Sequence, residues 1–202
     1  MTSKKTNIDM VKEEIKSLRV NFEHVIGRKN VAIGFSATDM NVSKSDVIVS
    51  LARDLAQNGR KVVIIDANYR DPKISEVSQN ESVKGLSNIL LKRAPYENEI
   101  IVDMFQKNLD LILTGEIIKE PVEVLDSSHL KHFIQAIKSH YDYVLIDTPA
   151  NKDYCDANLI ATYTDGFIIV TQKNKSTQRQ LYNSTEAIKK VGSKLIGIVV
   201  TN

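Results

Sequence analysis

A lysine–serine pair, Lys44-Ser45, follows the apolar run Val31–Phe35 by way of a short polar stretch beginning at Ser36. Between a buried strand and a helix start, a loop of backbone N–H groups can wrap phosphates. The lysine then reaches the β- and γ-phosphates, and the serine hydroxyl ligates Mg²⁺. Such a pair is common, and alone it says little. Two aspartates add weight: Asp66 closes the run Val62–Ile65, and Asp147 closes Val144–Ile146. A strand-end carboxylate can hold Mg²⁺ through oxygen or serve as a base, although most such aspartates merely cap the following turn. Three features at the same end of three strands point to a nucleotide site. Its metal ligands would be Ser45, Asp66 and Asp147, and its loop would be Asn41, Val42, Ser43, Lys44, Ser45 and Asp46.

The elements that must place these residues can be read from periodicity. Val31–Phe35, Val62–Ile65, Val144–Ile146 and Phe167–Val170 are near-continuous aliphatic or β-branched runs; Leu109–Leu113 and Leu195–Val200 are similar but interrupted. Runs without apolar/polar alternation are the signature of parallel strands buried on both faces. Between them, Ile48, Leu51, Ala52 and Leu55 recur at helical spacing with Gly59 as a C-terminal stop. His129–His140 and Ser176–Val191 also read as helices, the second capped by Ser176 or Thr177. Alternating strand and helix predict an α/β fold with a doubly wound, mainly parallel sheet of the P-loop type, and ligands of such sheets bind beyond the strands' C-terminal ends. Residues 71–84 read as a loop. Ahead of the sheet, Ile8, Val11, Ile15, Leu18, Phe22 and Val25 form one apolar stripe. The expected organisation is a helical arm over residues 1–28 and a nucleotide-binding domain over 29–202.

Composition narrows the function classes. The 202 residues carry a net charge of only +2, which argues against nucleic acid as a partner. No apolar run approaches the ~20 residues of a membrane span. The single cysteine, Cys155, has no pair to oxidise and fits a reducing cytoplasm. His24, His129, His132 and His140 lack metal-like spacing.

Several longer motifs now carry a resemblance. Lys44-Ser45 ends a Walker A motif, Ile64–Pro72 fits the Walker A′ pattern Asp-x-Asp-x-Arg-x-Pro, and Tyr141–Pro149 fits Walker B. With Gly85–Leu91, Leu113–Gly115, Glu120–Leu125, Asp156-Ala157 and Gly197–Asn202, the chain resembles the cytoplasmic bacterial tyrosine kinases of capsule and exopolysaccharide operons, over nearly its whole length. The resemblance implies Mg-ATP or Mg-ADP as cofactor, Lys44 on phosphate, Asp66 as base for a tyrosine hydroxyl and Asn202 at the adenine. It implies a membrane modulator with an activating cytoplasmic tail, and so a cytoplasmic protein peripheral to the inner face of the membrane. It further implies subunit contacts through a Glu-x-x-Arg-x-x-Arg motif, matched here by Glu13, Lys16 and Arg19, with lysine in place of the first arginine. Lysine lacks the bidentate fork of arginine.

The departures from the family pattern concern the phosphate loop. Both loop glycines are replaced, by Asn41 and Ser43, and Asp46 stands where a threonine is expected. If the loop needs left-handed geometry there, each replacement costs on the order of 1–3 kcal/mol. Asp46 places a negative charge at a helix N-terminus, where it opposes phosphate. Asn68 replaces the second Walker A′ aspartate, and the sequence ends at Asn202 without a tyrosine cluster. The expectation is a kinase-like regulatory protein of polysaccharide synthesis and export with weak or absent nucleotide binding. The competitors are an active tyrosine autokinase and a Min/Par-type positioning ATPase. The latter carries a second lysine five residues before the Walker lysine, where this chain has Asp39.

Overall fold

The computed structural model describes residues 2–27, 29–77, 84–152 and 154–202, with the side chains of 2–11 also left aside. In chain order, α1 (Thr2–Ile26) leads to β1 (Val31–Ala37), α2 (Lys44–Gln57) and β2 (Val62–Asp66). Two short helices, α3 (Lys73–Val77) and α4 (Leu86–Leu91), precede the hairpin of β3 (Ile101–Gln106) and β4 (Leu109–Ile112). There follow α5 (Pro121–Leu125), α6 (Ser128–Lys138), β5 (Tyr143–Asp147), α7 (Asp156–Ala161), β6 (Gly166–Gln172), α8 (Gln178–Lys190) and β7 (Leu195–Thr201). The sheet order is β3-β4-β2-β5-β1-β6-β7, parallel throughout except for β3 against β4.

The six expected strands are all present; burial explains the unalternating character of β1, β2, β5 and β6, whereas β7, at the sheet's edge, is half-buried to exposed. Successive residues of β2 enter opposite cores: Val62 and Ile64 pack beneath α1 and α2, whereas Val63 and Ile65 pack beneath the helices of the other face. The same division holds for Tyr143 and Leu145 against Val144 and Ile146 in β5. Each fully buried aliphatic side chain contributes about 1.5–3 kcal/mol, which favours aliphatic residues on both faces. Gly34 in β1 is required by this packing, since a Cβ there would lie 2.1 Å from the Phe167 ring.

Two elements depart from the expectation. Residues 71–84 are not simply a loop, because α3 forms within them, and residues 78–83 of that stretch lie outside the described residues. Strand β3 had no signal: it is an edge strand whose residues are half-buried or exposed, so no apolar run marks it.

The arm is one helix, and its stripe docks in part. Phe22 is buried edge-on against Tyr143, with ring centroids 5.2 Å apart, and Leu18 and Ile26 pack on the same core. Val25 is exposed, which puts the docked face on Leu18, Phe22 and Ile26; Ile8 and Val11 fall outside the described side chains. No helix among the described residues is long and apolar enough to cross a membrane.

Candidate functional site

Parallel pairing brings the strand-end residues together. Asp66 of β2 stands in register with Asp147 of β5, and Phe35 of β1 stands beside Asp147 on its other side. Both aspartates are fully buried. The loop from Thr38 to Ser43 leaves β1 at this edge and enters α2, whose first residues are Lys44 and Ser45. Beyond the edge lies a cleft of about 660 Å³, walled by residues 39–46 on one side and by Asn68, Arg70, Asp71 and Tyr154 on the other.

Lys44 is buried and its Nζ is ion-paired with Asp147 Oδ1. Ser45 Oγ donates to Asp147 Oδ2 at 3.0 Å. Burial pulls the Lys44 ammonium down to about 7 while Asp66 and Asp71 push it back up. The Asp147 carboxylate in contact favours the charged form against that burial. Asp66 Oδ2 accepts from the Ser75 N–H at 2.9 Å and from Ser75 Oγ at 2.7 Å, and Oδ1 accepts from the Asn68 N–H at 3.1 Å. Burial pushes the Asp66 carboxyl above its usual range, against these bonds and against Lys44. A raised carboxyl pKa suits a general base.

Ser45 Oγ meets the Asp147 carboxylate, with Asp66 in register on the neighbouring strand, and hard oxygen donors of this kind suit Mg²⁺. The phosphate loop fits its ligand less well. The Asn41 N–H donates to Asp39 Oδ1 at 3.2 Å, the Val42 N–H to the Asp39 carbonyl at 3.2 Å, and the Lys44 N–H to the Val42 carbonyl at 2.7 Å. Ser43, at φ −71° and ψ 57°, is the centre of an inverse γ-turn. Three N–H groups of the loop are therefore engaged within it. The strain expected at Asn41 and Ser43 is not found, because neither is among the residues with positive φ. The loop instead adopts a self-bonded course that its side chains tolerate. Asp46 is exposed in the first turn of α2, and Val42 is buried beneath the loop.

Other candidates are placed as follows. Asn68 shapes the turn after β2: its Nδ2 donates to the Asp71 carbonyl at 2.7 Å and its Oδ1 accepts from the Asp71 N–H at 3.2 Å. Asn202 lies just past β7, its carbonyl accepting from Gln172 Nε2 at 3.0 Å, and it does not line the cleft. Glu13 and Lys16 pair with each other on the exposed face of α1. Arg19 is engaged inside the chain, with Asp54 at 2.6 Å and Glu23 at 2.8 Å.

Four residues near the site carry interactions that the sequence did not assign. Arg70 pairs with the fully buried Asp156 at 3.2 Å and lies 4.4 Å over the Tyr154 ring. Ser75 orients Asp66 from α3, and Thr114, at the end of β4, donates its N–H to Ser75 Oγ at 3.2 Å. Arg70 and Thr114 stood within motifs read from the sequence, though without these roles; Ser75 and Tyr154 act through tertiary placement, which spacing does not reveal.

Comparison with known proteins agrees with this fold. The sequence model of a family described as an AAA domain matches residues 32–197. A tyrosine-protein kinase CpsD of Streptococcus agalactiae serotype III is 31% identical over 199 residues, covering 98% of this chain and 85% of the relative. The tyrosine-protein kinase YwqD of Bacillus subtilis is 29% identical over 189 residues, covering 93% and 79%. Among solved structures, the chimerical protein CapA2B2 superposes with a TM-score of 0.87 at 25% identity, covering 94% of this chain and 83% of that one.

Proposed function

This chain belongs to the bacterial tyrosine-kinase family, and from that premise we propose that it is a regulatory member of a capsule or exopolysaccharide pathway whose own nucleotide binding is weak or absent. The observation that carries the reading is the self-bonded loop, in which the Asn41, Val42 and Lys44 N–H groups already have acceptors. Phosphoryl transfer depends on donors preorganised toward the phosphates. Here a nucleotide must first break the loop's own bonds and then approach the exposed carboxylate of Asp46 at the head of α2.

If Mg-ATP or Mg-ADP binds, Ser45, Asp66 and Asp147 are the residues to hold the metal, which would neutralise phosphate charge. Lys44 would turn from Asp147 to the phosphates, and Asn202 would sit toward the base. The protein would work in the cytoplasm against the inner face of the membrane, through a membrane partner with a cytoplasmic tail, with no nucleic acid involved. Glu13, Lys16 and Arg19 are the proposed contacts between copies.

A second reading, an active tyrosine autokinase, is favoured by the retained strand-end carboxylates. Asp66, buried at the end of β2, has the raised carboxyl expected of a base for a tyrosine hydroxyl. Calorimetry with Mg-ATP and mass spectrometry for phosphotyrosine separate the two. We expect millimolar or undetectable affinity and no phosphotyrosine, with binding gained by the triple variant N41G/S43G/D46T. Micromolar binding by the wild type would move the conclusion to the active kinase.

A further inference from the structure

We propose that Asp39 is a resident anion of the phosphate loop, holding a backbone donor that a nucleotide phosphate would otherwise meet. The inference rests on reading the cleft as a nucleotide site. Asp39 lines that cleft, and its carboxylate works on two sides at once. Oδ1 accepts from the Asn41 backbone N–H at 3.2 Å and from Asn41 Nδ2 at 3.1 Å, an Asx-type turn that folds the loop back on itself. Oδ2 is held from outside the loop, by Lys152 Nζ at 3.5 Å and by Gln180 Nε2 at 3.4 Å.

Those outer partners come from different elements. Lys152 lies in the connection between β5 and α7, and Gln180 lies in the first turn of α8. Gln180 is itself fixed, because its Oε1 accepts from the Thr177 N–H at 2.8 Å and from Thr177 Oγ1 at 2.9 Å in a capping box. A chain of bonds therefore runs from the α8 cap through Gln180 and Asp39 to Asn41. Phosphate and carboxylate are both anions, and both seek N–H donors; the one already in place and anchored from two elements has the advantage. The Asp39 carboxyl is also held below its usual range, chiefly by the Asn41 N–H, so the competitor is ionised at neutral pH.

The residue type adds a second effect. A carboxylate on the cleft wall repels phosphate at any position it can reach, and Lys152 only partly offsets this because its side chain is 50% exposed. Asp39 thus opposes nucleotide both by competition and by charge. The charge effect does not depend on the backbone geometry of Asn41 and Ser43.

Two measurements test the assignment. The first needs no nucleotide: amide hydrogen exchange at Asn41, followed by NMR, should accelerate about tenfold in Asp39→Ala, as expected for loss of one charge-assisted bond. Asp39→Asn, which keeps the shape but not the charge, should fall between the two. The second is calorimetry with Mg-ADP on the N41G/S43G/D46T background, with and without Asp39→Ala. We expect the added change to tighten binding by about tenfold. Unchanged exchange at Asn41 would overturn the inference, because the bond would then protect nothing. Equal Mg-ADP affinity with and without Asp39→Ala would also overturn it, while leaving the nucleotide cleft standing. If no variant binds Mg-ADP at any concentration, the reading of the cleft fails and the role of Asp39 falls with it.

Discussion

Two opposite charges beneath a loop lose their hydration, and only their mutual attraction and further hydrogen bonds offset that cost. Lys44 and Asp147 meet with side chains 5% and 0% exposed, and Ser45 adds a bond to the second carboxylate oxygen. In this arrangement the Walker lysine has a structural task, because it neutralises a carboxylate that has no access to water. Lys44→Met should therefore lower unfolding stability in urea by about 3–5 kcal/mol, the usual loss when one partner of a buried pair is removed. Asp147→Asn should lower it as well, and the double variant should lose less than the two single losses added together. A loss of under about 1 kcal/mol for Lys44→Met would mean that Asp147 takes another partner or a proton when the lysine is gone. The residue scale is also where sequence reasoning failed most clearly. Asn41 and Ser43 were expected to bear left-handed strain, yet the loop takes its turn from the Asp39 carboxylate and from a γ-turn at Ser43. An asparagine-for-glycine exchange reads as lost freedom in the sequence, but which turn replaces the glycine turn depends on a side chain two positions away.

At the scale of elements, α1 is held by packing and by a compact charge network. Glu23 accepts from Arg60 at 2.6 Å and from Arg19 at 2.8 Å, and Arg19 reaches on to Asp54 of α2. Burial pushes the Glu23 carboxyl up, but the two arginines pull it down further, so its folded value lies below the ordinary one. Such a group stabilises fully above its unfolded pKa of about 4.3 and loses that contribution as pH falls through the lower folded value. Docking of α1 should thus weaken below about pH 4, seen as faster limited proteolysis in the arm, and Glu23→Gln should flatten that pH dependence. The same helix separates docking from assembly. Among the described residues Lys16 pairs only with the exposed Glu13, so if the arm joins copies, Lys16→Ala should lower the mass by light scattering without lowering thermal stability, whereas Arg19→Ala should lower both. An unchanged mass for both variants would remove α1 from any interface. Much of the element order was legible because buried parallel strands leave unalternating apolar runs and the α6 and α8 helices carry a helical period. The hairpin strand β3 and the single turn of α3 were not, since an edge strand needs no apolar face and five residues hold no period.

For the whole molecule, binding and stability are one quantity seen twice, because any ligand taken up by the folded state alone raises its stability by mass action. A ligand at its dissociation constant adds about 0.4 kcal/mol, and at a hundredfold excess it adds about 2.7 kcal/mol. In a chain of 202 residues each kcal/mol moves the melting temperature by roughly 2–4 °C. The doubly wound sheet places Lys44, Ser45, Asp66 and Asp147 at one edge whether or not the loop above them receives phosphate. The wild type and the N41G/S43G/D46T variant should therefore melt as the same fold and differ in their response to nucleotide. With millimolar Mg-ADP the wild type should shift by no more than about 2 °C, while the variant, if its dissociation constant falls to about 10 μM, should shift by roughly 5–10 °C. Magnesium without nucleotide should leave both unchanged, since Lys44 and Ser45 already occupy Asp147. A large shift of the wild type with Mg-ADP would show that the loop opens readily, and its self-bonded course would then be a resting conformation of a working nucleotide site.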